Sequence, residues 1–288
     1  MLRTILILGR VSNLPTVWTN VLAGWFLAGG GWDRELLWIE IGVSLLYVAG
    51  MTLNDAFDEK WDRQHAPERP IPSGAIPGGA VWSLGVLQLC AGVAVLLLAT
   101  DMVWIWIAAL VGAILLYDWI HKKTPLAVLI MGACRGLVYI GAASALLPMD
   151  QFSVILWVLV AATVVYVAGI TVLARSERGG DRSPRWLNWL GRAMEYAPLF
   201  LLAVAPDQMD TGWLRTTLWV VLLVFLLGWV TISMRLLKAD MGLGIPLLIA
   251  GICIIDGAAI IYGDMLAGAV CLVMLPVTLL FQRFIPAT

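Results

Sequence analysis

Residues 36–62 read LLWIEIGVSLLYVAGMTLNDAFDEKWD, an apolar run over 36–54 that closes on three aspartates, Asp55, Asp58 and Asp62. A bilayer core about 30 Å thick takes roughly 20 apolar residues of helix to cross, and this run has that length. Working outward, similar stretches lie near 14–30, 80–99, 102–117, 125–147, 152–174, 194–206, 213–234, 245–262 and 266–282. Together with 36–54 they make ten. The stretch at 194–206 is short and holds Pro198, so the expectation is an all-α, polytopic membrane helical bundle of nine to ten transmembrane helices. The runs are continuous and do not alternate, which speaks against a barrel built from strands of about ten residues. Composition agrees. The 288 residues are 61% hydrophobic and only 13% charged, against about 25% charged in a soluble domain, so most of the surface faces lipid. A net charge of −1 gives no sign of nucleic acid, and no such partner is expected.

Charge placement orients the bundle. Of the 18 Lys and Arg, all but Arg34, Arg215 and Arg135 fall on one side of the alternating spans. The Lys- and Arg-rich side of a membrane protein is cytoplasmic. The loops near 55–79 and 175–193 are therefore expected in the cytoplasm, with the chain in the cell (inner) membrane and both of its ends inside. Residues 1–288 read as one integral membrane domain. The first nine residues are too short for a signal peptide, lack a small-residue cleavage site and are expected at the interface. Cys90, Cys134, Cys253 and Cys271 lie in apolar runs without a C-x-x-C pair, so neither zinc nor a disulfide framework is suggested. Trp18, Trp25, Trp32, Trp38, Trp104 and Trp106 stand near span ends, where indole anchors a helix at the interface. The long inner loops follow the second and sixth spans, which suggests two similar halves, although no sequence repeat links them.

The polar chemistry concentrates where the second span ends. Asp55, Asp58 and Asp62 are spaced i, i+3, i+7 and fall within about 60° of one helix face. Asn54 borders that face, and Glu59 points elsewhere. Acids at a helix C-terminus oppose the dipole, and three together repel one another and call for a cation. Ion pairs to Lys60 and Arg63 account for part of the cluster but not for its one-sidedness. Carboxylates without local His or Cys favour a hard cation, Mg2+. Asp55 and Asp62 are about 10 Å apart along the axis, too far for one Mg2+ with ligands at about 2.1 Å. The spacing instead suits ions spread beneath an extended ligand such as a diphosphate. The following segment, His65-Ala66-Pro67-Glu68-Arg69-Pro70-Ile71-Pro72-Ser73-Gly74, is stiff with proline. It carries Arg69, whose planar donor fork matches phosphate.

The pattern N-D-x-x-D-x-x-x-D followed by R-P-I-P-S-G resembles the first motif of the UbiA superfamily of intramembrane prenyltransferases, with both parts in order at the end of the second span. The resemblance implies helices around a central cavity, Mg2+, and an isoprenyl diphosphate donor. It puts Asn54, Asp55, Asp58 and Asp62 at the metal–diphosphate site with Arg69 close by. Tyr117-Asp118-Trp119-Ile120-His121-Lys122-Lys123-Thr124-Pro125, at the end of the fourth span, is similar to the family's Tyr followed by a basic pair before Thr. Tyr117, Lys122 and Lys123 match, and Asp118 stands where proline is common. Lys122 and Lys123 are candidate diphosphate contacts.

The family's second aspartate motif, D-x-x-x-D after the sixth span, is altered. Here the chain reads Arg175-Ser176-Glu177-Arg178-Gly179-Gly180-Asp181. Glu177 and Asp181 keep an acidic pair at i, i+4 and stand as the second candidate metal and donor pair, although the paired glycines weaken a continuous helix there. The stretch 171–180 also resembles EboC-like proteins of the superfamily. Arg135 lies inside the fifth span, where an ionised side chain is costly and faces a cavity or an acid. Asp256 lies inside the ninth. Asn13 and Asn20 are equally suited to lining a cavity or cross-linking helices. Tyr117 and Tyr139 are candidate aromatic faces for an allylic cation. The function expected is Mg2+-dependent transfer of an isoprenyl group from its diphosphate to a small aromatic or lipid acceptor within the membrane. The alternative is a non-catalytic lipid carrier or transporter of the same fold. A CDP-alcohol phosphotransferase is disfavoured, because its D-G-x-x-A-R…G-x-x-x-D-x-x-x-D pattern is absent.

Overall fold

The computed structural model describes residues 1–178, 185–203 and 213–287. In chain order the helices are α1 (Leu2–Leu8), α2 (Leu14–Leu27), α3 (Arg34–His65), α4 (Gly78–Ala99), α5 (Trp104–Ile120), α6 (Ala127–Ser144), α7 (Val154–Arg178), α8 (Arg185–Met194), α9 (Ala197–Ala203), α10 (Trp213–Ala239), α11 (Met241–Ala250), α12 (Ile252–Ile260) and α13 (Met265–Phe284). Among the described residues seven spans are long and apolar enough to cross a bilayer: α3, α4, α6, α7, α10, α13, and α11 with α12 taken together. The chain is therefore an integral, multi-pass membrane protein. The expected nine to ten spans include three more stretches, which form the shorter helices α2 (14 residues), α5 (17 residues) and α9 (7 residues). Part of the 194–206 stretch lies outside the described residues. The shortness of α2 has a packing reason. Nearly every side chain from Leu14 to Trp25 is buried, because α2 packs against α3, α6, α7, α12 and α13.

Local chemistry sets the helix limits. Asp33 caps α3, its Oδ1 accepting from Leu36 N–H at 3.0 Å, and Asp240 and Asp264 cap α11 and α13 in the same way. The α3 helix runs past the expected span end at 54 and stops at His65, with Ala66 as a non-helical cap ahead of Pro67, because the residue before a proline avoids the helical region. The ninth expected span is two helices. Gly251 separates α11 from α12, and the Leu247 and Leu248 carbonyls beside the break, which both accept from Gly251 N–H, also accept from Trp229 Nε1 (2.8 Å) and Tyr166 Oη (2.7 Å). Where water is excluded, backbone groups need such partners.

Helices approach closely at glycine. A Cβ on Gly24 would lie 2.4 Å from the Tyr139 carbonyl oxygen, and one on Gly132 would lie 2.4 Å from that of Val164. These positions bring α2 onto α6 and α6 onto α7, the close backbone packing that small residues permit in membranes. The tryptophan expectation holds in part. Trp32, Trp38 and Trp104 are exposed, but Trp25 is fully buried, with its indole N–H donating to the Gly31 carbonyl at 2.8 Å.

Candidate functional site

Four polar side chains at the end of α3 turn inward: Asn54, Asp55, Asp58 and Asp62 are all buried, Asp62 with only 1% of its surface exposed. The loop after α3 brings a cation to them. Ile71 anchors this loop by packing with Leu8, Ala56 and Val81. The turn closes at Gly74, whose φ of +76° suits glycine. Held this way, Arg69 reaches back over the helix. Its Nη1 lies 2.8 Å from Asp62 Oδ2, 3.4 Å from Asp55 Oδ1 and 3.9 Å from Asp58 Oδ2. Burial works against the guanidinium charge, but Asp55 and Asp62 outweigh it and raise the Arg69 pKa further above its ordinary value. Glu59 faces away and pairs with Arg63 at 2.7 Å, as its helical position predicts.

The end of α5 supplies the facing wall. Lys122 Nζ lies 2.8 Å from Asp58 Oδ1 and 3.9 Å from the centre of the Trp61 ring. His121 Nε2 is 3.2 Å from Asp58 Oδ2, and its ring stacks on Tyr117 with centroids 5.1 Å apart. Arg10, held in a left-handed turn with φ +42°, places Nη2 3.7 Å from Asp55 Oδ1. Lys123 sits over Trp119 at 4.5 Å, at the rim. From α7, Arg175 donates to the carbonyls of His121 (2.7 Å) and Thr124 (3.3 Å), so the helix that carries the second motif also fixes the loop that carries Lys122.

Asn54, Asp58, Asp62, Arg69, Tyr117, Lys122, Lys123 and Arg135 all line one cavity of about 610 Å³. Its remaining walls are largely aliphatic, from Val17, Leu46, Leu110, Ile170, Ile249 and their neighbours. The arrangement of a charged mouth and an apolar body suits a ligand with an anionic head and a hydrocarbon tail. Asp55 does not line the cavity itself, but it pairs with Arg69 and Arg10, which do.

Arg135 reaches the cavity from α6, held by Asn20 Oδ1 (2.8 Å) and Thr16 Oγ1 (3.1 Å). Behind it, Asn20 Nδ2 and Tyr139 Oη donate to Asp256 at 2.8 and 2.6 Å, and Tyr139 Oη also meets Thr163 at 3.0 Å. Asp256, Asn20 and Tyr139 thus cross-link α2, α6, α7 and α12 behind the cavity wall. Tyr139 is fully buried in that network, and no face of its ring reaches the cavity wall. Asn13 both lines the cavity and donates to the Ala287 carbonyl at 2.9 Å.

Of the second acidic pair, Glu177 lies on α7 and Asp181 lies outside the described residues. Among the described residues no group of three His, Cys, Asp or Glu side chains converges on a single point for a metal. The donor set nevertheless suits a hard divalent cation. It is made of buried carboxylates, and two of their oxygens, Asp62 Oδ1 and Asp118 Oδ2, have no hydrogen-bond donor. The sequence reading passed over Arg10, His121 and Asp118 as site residues. His121 and Asp118 stood inside the quoted Tyr117–Pro125 stretch, whereas Arg10 carried no local signal.

Comparison with known proteins bears on this site. The model of the UbiA prenyltransferase family matches residues 16–183. The chain is 32% identical over 128 residues to the digeranylgeranylglyceryl phosphate synthase of Methanopyrus kandleri, covering 43% of this chain and 46% of that one. It is 30% identical over 130 residues to the 4-hydroxybenzoate octaprenyltransferase of Pectobacterium carotovorum, covering 44% and 45%. The matches therefore span just under half the length of these curated relatives. A UbiA homolog from Archaeoglobus fulgidus, solved bound to GPP and Mg2+, shares the fold with a TM-score of 0.62 at 13% identity, over 92% of this chain and 99% of that one.

Proposed function

Because the chain belongs to the UbiA prenyltransferase family, we propose that it transfers an isoprenyl group from an isoprenyl diphosphate to a small aromatic or lipid acceptor inside the membrane. The observation that carries this reading is the facing set of Asp55, Asp58 and Asp62 with Arg69 and Lys122 at the mouth of an apolar cavity. The homolog bound to GPP and Mg2+ supports the choice of donor and cation. The two relatives named above differ in acceptor, so the acceptor class stays broad.

Each residue has a task that follows from its chemistry. Asp55, Asp58 and Asp62 would hold Mg2+, with Glu177 and Asp181 as the second acidic pair. Bound there, the ion supplies positive charge to diphosphate oxygens as the allylic C–O bond breaks. Arg69 and Lys122 now lie against the acids. From the cavity mouth both side chains would donate to the diphosphate, Arg69 through its fork and Lys122 as a point charge. Lys123 adds charge at the rim, and Asn54 orients the acidic face. The Tyr117 ring lines the cavity near Lys122, and its π-face would stabilise positive charge developing on an allylic carbon there. The aliphatic walls take the isoprenyl tail and keep water from capturing the cation. Arg135, deeper in the cavity, binds a polar part of donor or acceptor. The motif loops face the cytoplasm, and the chain acts as one domain in the cell membrane.

The test is the thermal midpoint of wild type and Asp58→Asn, with Mg2+ and geranyl diphosphate varied independently. A ligand at a hundred times its Kd adds about 2.7 kcal/mol to the native state. Wild type should gain only when both are present, and Asp58→Asn should gain much less. Absence of joint stabilisation in wild type across donor chain lengths would sink the donor site and favour a carrier.

A further inference from the structure

We propose that Asp118, on α5, is a fourth carboxylate ligand of the divalent-cation and diphosphate site, gripping the ion from a different helix than Asp55, Asp58 and Asp62. The proposal rests on the donor-site reading above and names a residue that the matched motifs do not include.

Asp118 differs from the other three acids in how it is paired. Asp55 lies within 4 Å of Arg10 and Arg69, Asp58 of Arg69, His121 and Lys122, and Asp62 of Arg69 and Lys122. Among the described residues Asp118 has no such partner. It is only 4% exposed, lines the same cavity, and makes one side-chain hydrogen bond, in which Asn54 Nδ2 donates to its Oδ1 at 3.1 Å. Its Oδ2 is buried without a donor. A carboxylate oxygen left so is costly to the fold, and that cost is offset when a cation occupies the site.

The neighbours of Asp118 hold it in place for this. Asn54 directly precedes Asp55 on α3, so its amide ties the carboxylate of Asp118 to the acidic face. His121 bridges from the other direction, with Nδ1 3.1 Å from the Asp118 carbonyl oxygen and Nε2 3.2 Å from Asp58 Oδ2. Mg2+ is commonly held by one or two carboxylates, with water and phosphate oxygens completing its octahedron. A site of this kind needs no three converging acids, in keeping with their absence among the described residues. A purely structural Asp118 would serve only to cross-link α5 to α3 through Asn54. An asparagine would make that same bond through its own carbonyl oxygen, which separates the two roles.

The experiment uses purified full-length wild type and Asp118→Asn in nanodiscs, titrated with Mn2+ and followed by electron paramagnetic resonance, with and without geranyl diphosphate. With the diphosphate present, Asp118→Asn should bind Mn2+ at least about tenfold more weakly. Its thermal midpoint without metal or diphosphate should equal or exceed that of wild type. Equal Mn2+ affinity in the two proteins, with wild-type binding dependent on the diphosphate, overturns the role of Asp118 and leaves the donor site standing. If wild type binds no Mn2+ even with the diphosphate, the donor-site reading falls and takes this one with it. Should Asp118→Asn fail to fold, wild type alone decides. Fe2+ in place of Mg2+, with ascorbate and peroxide, should cut the backbone near 118–121 as well as near 55–62. Cuts confined to 55–62 overturn the proposal.

Discussion

Replacing Arg69 with Met keeps the side chain's apolar stem and removes its charge from among three acids. The Arg69 side chain is 21% exposed, whereas Asp55, Asp58 and Asp62 are 10%, 7% and 2% exposed. Removing one partner of a buried ion pair costs about 3–5 kcal/mol. The partial exposure of Arg69 brings this to about 2–3 kcal/mol, since water screens part of the charge left behind. In a chain of this size each kcal/mol moves the midpoint by about 2 °C, so Arg69→Met should melt about 4–6 °C lower in EDTA. Mg2+ supplies replacement charge to the same carboxylates, so adding it should recover a good part of the loss. Cys253 and Cys271 are buried free thiols, and a thiol-reactive dye that brightens as they become accessible gives the midpoint. Donor affinity should fall as well, by about tenfold to a hundredfold, because a hydrogen bond to a charged group contributes about 1.5–3 kcal/mol. A variant that melts with wild type in EDTA would refute the picture of repelling acids held by Arg69. A deficit that Mg2+ does not change would mean that Arg69 only secures the loop after α3.

Two further outcomes are expected. Arg135→Leu removes the guanidinium that Asn20 and Thr16 present to the cavity, so it should insert normally yet lose ligand binding or transfer; normal turnover would deny Arg135 a place in the site. Single cysteines placed at Ala66 and at Ser183 should react with an impermeant reagent only once the inner side of the membrane is opened, and labelling of either in intact cells would overturn the cytoplasmic assignment of both loops.

Much of the fold was legible because apolar length is a direct physical requirement of the bilayer. The runs at 36–54, 80–99, 125–147, 152–174, 213–234 and 266–282 each became a helix long enough to span. The elements whose lengths differ from expectation are those in which protein replaces lipid. A helix buried among neighbours, like α2, has no need of bilayer length, so 14–30 shortened to Leu14–Leu27. The break at Gly251 was hidden for the same reason. It is supported by Tyr166 and Trp229, 85 and 22 residues away in sequence, which donate to the carbonyls beside it. Trp25 stands near a span end, where an anchor is expected, but its ring is buried in the core and its indole N–H is taken up by the Gly31 carbonyl.

At the site, what is local to one helix was legible and what crosses between helices was not. The spacing of Asp55, Asp58 and Asp62 puts them on one face whatever surrounds them, and it also turns Glu59 outward to Arg63. Arg69 was legible because its loop is too stiff to wander and Ile71 pins it. Charge arithmetic at the mouth depends instead on partners from elsewhere: Arg10 from before α2, His121 and Lys122 from after α5. Within 4 Å, Arg10, Arg69 and Lys122 are engaged with Asp55, Asp58 and Asp62, so the bases nearest the motif are held by its carboxylates. A diphosphate entering alone would have to compete with those carboxylates for the same donors. A divalent ion on the acids would relieve that competition, so a Mg2+ requirement for donor binding is the outcome expected from how acids and bases are shared between α3, α5 and the loops that join them.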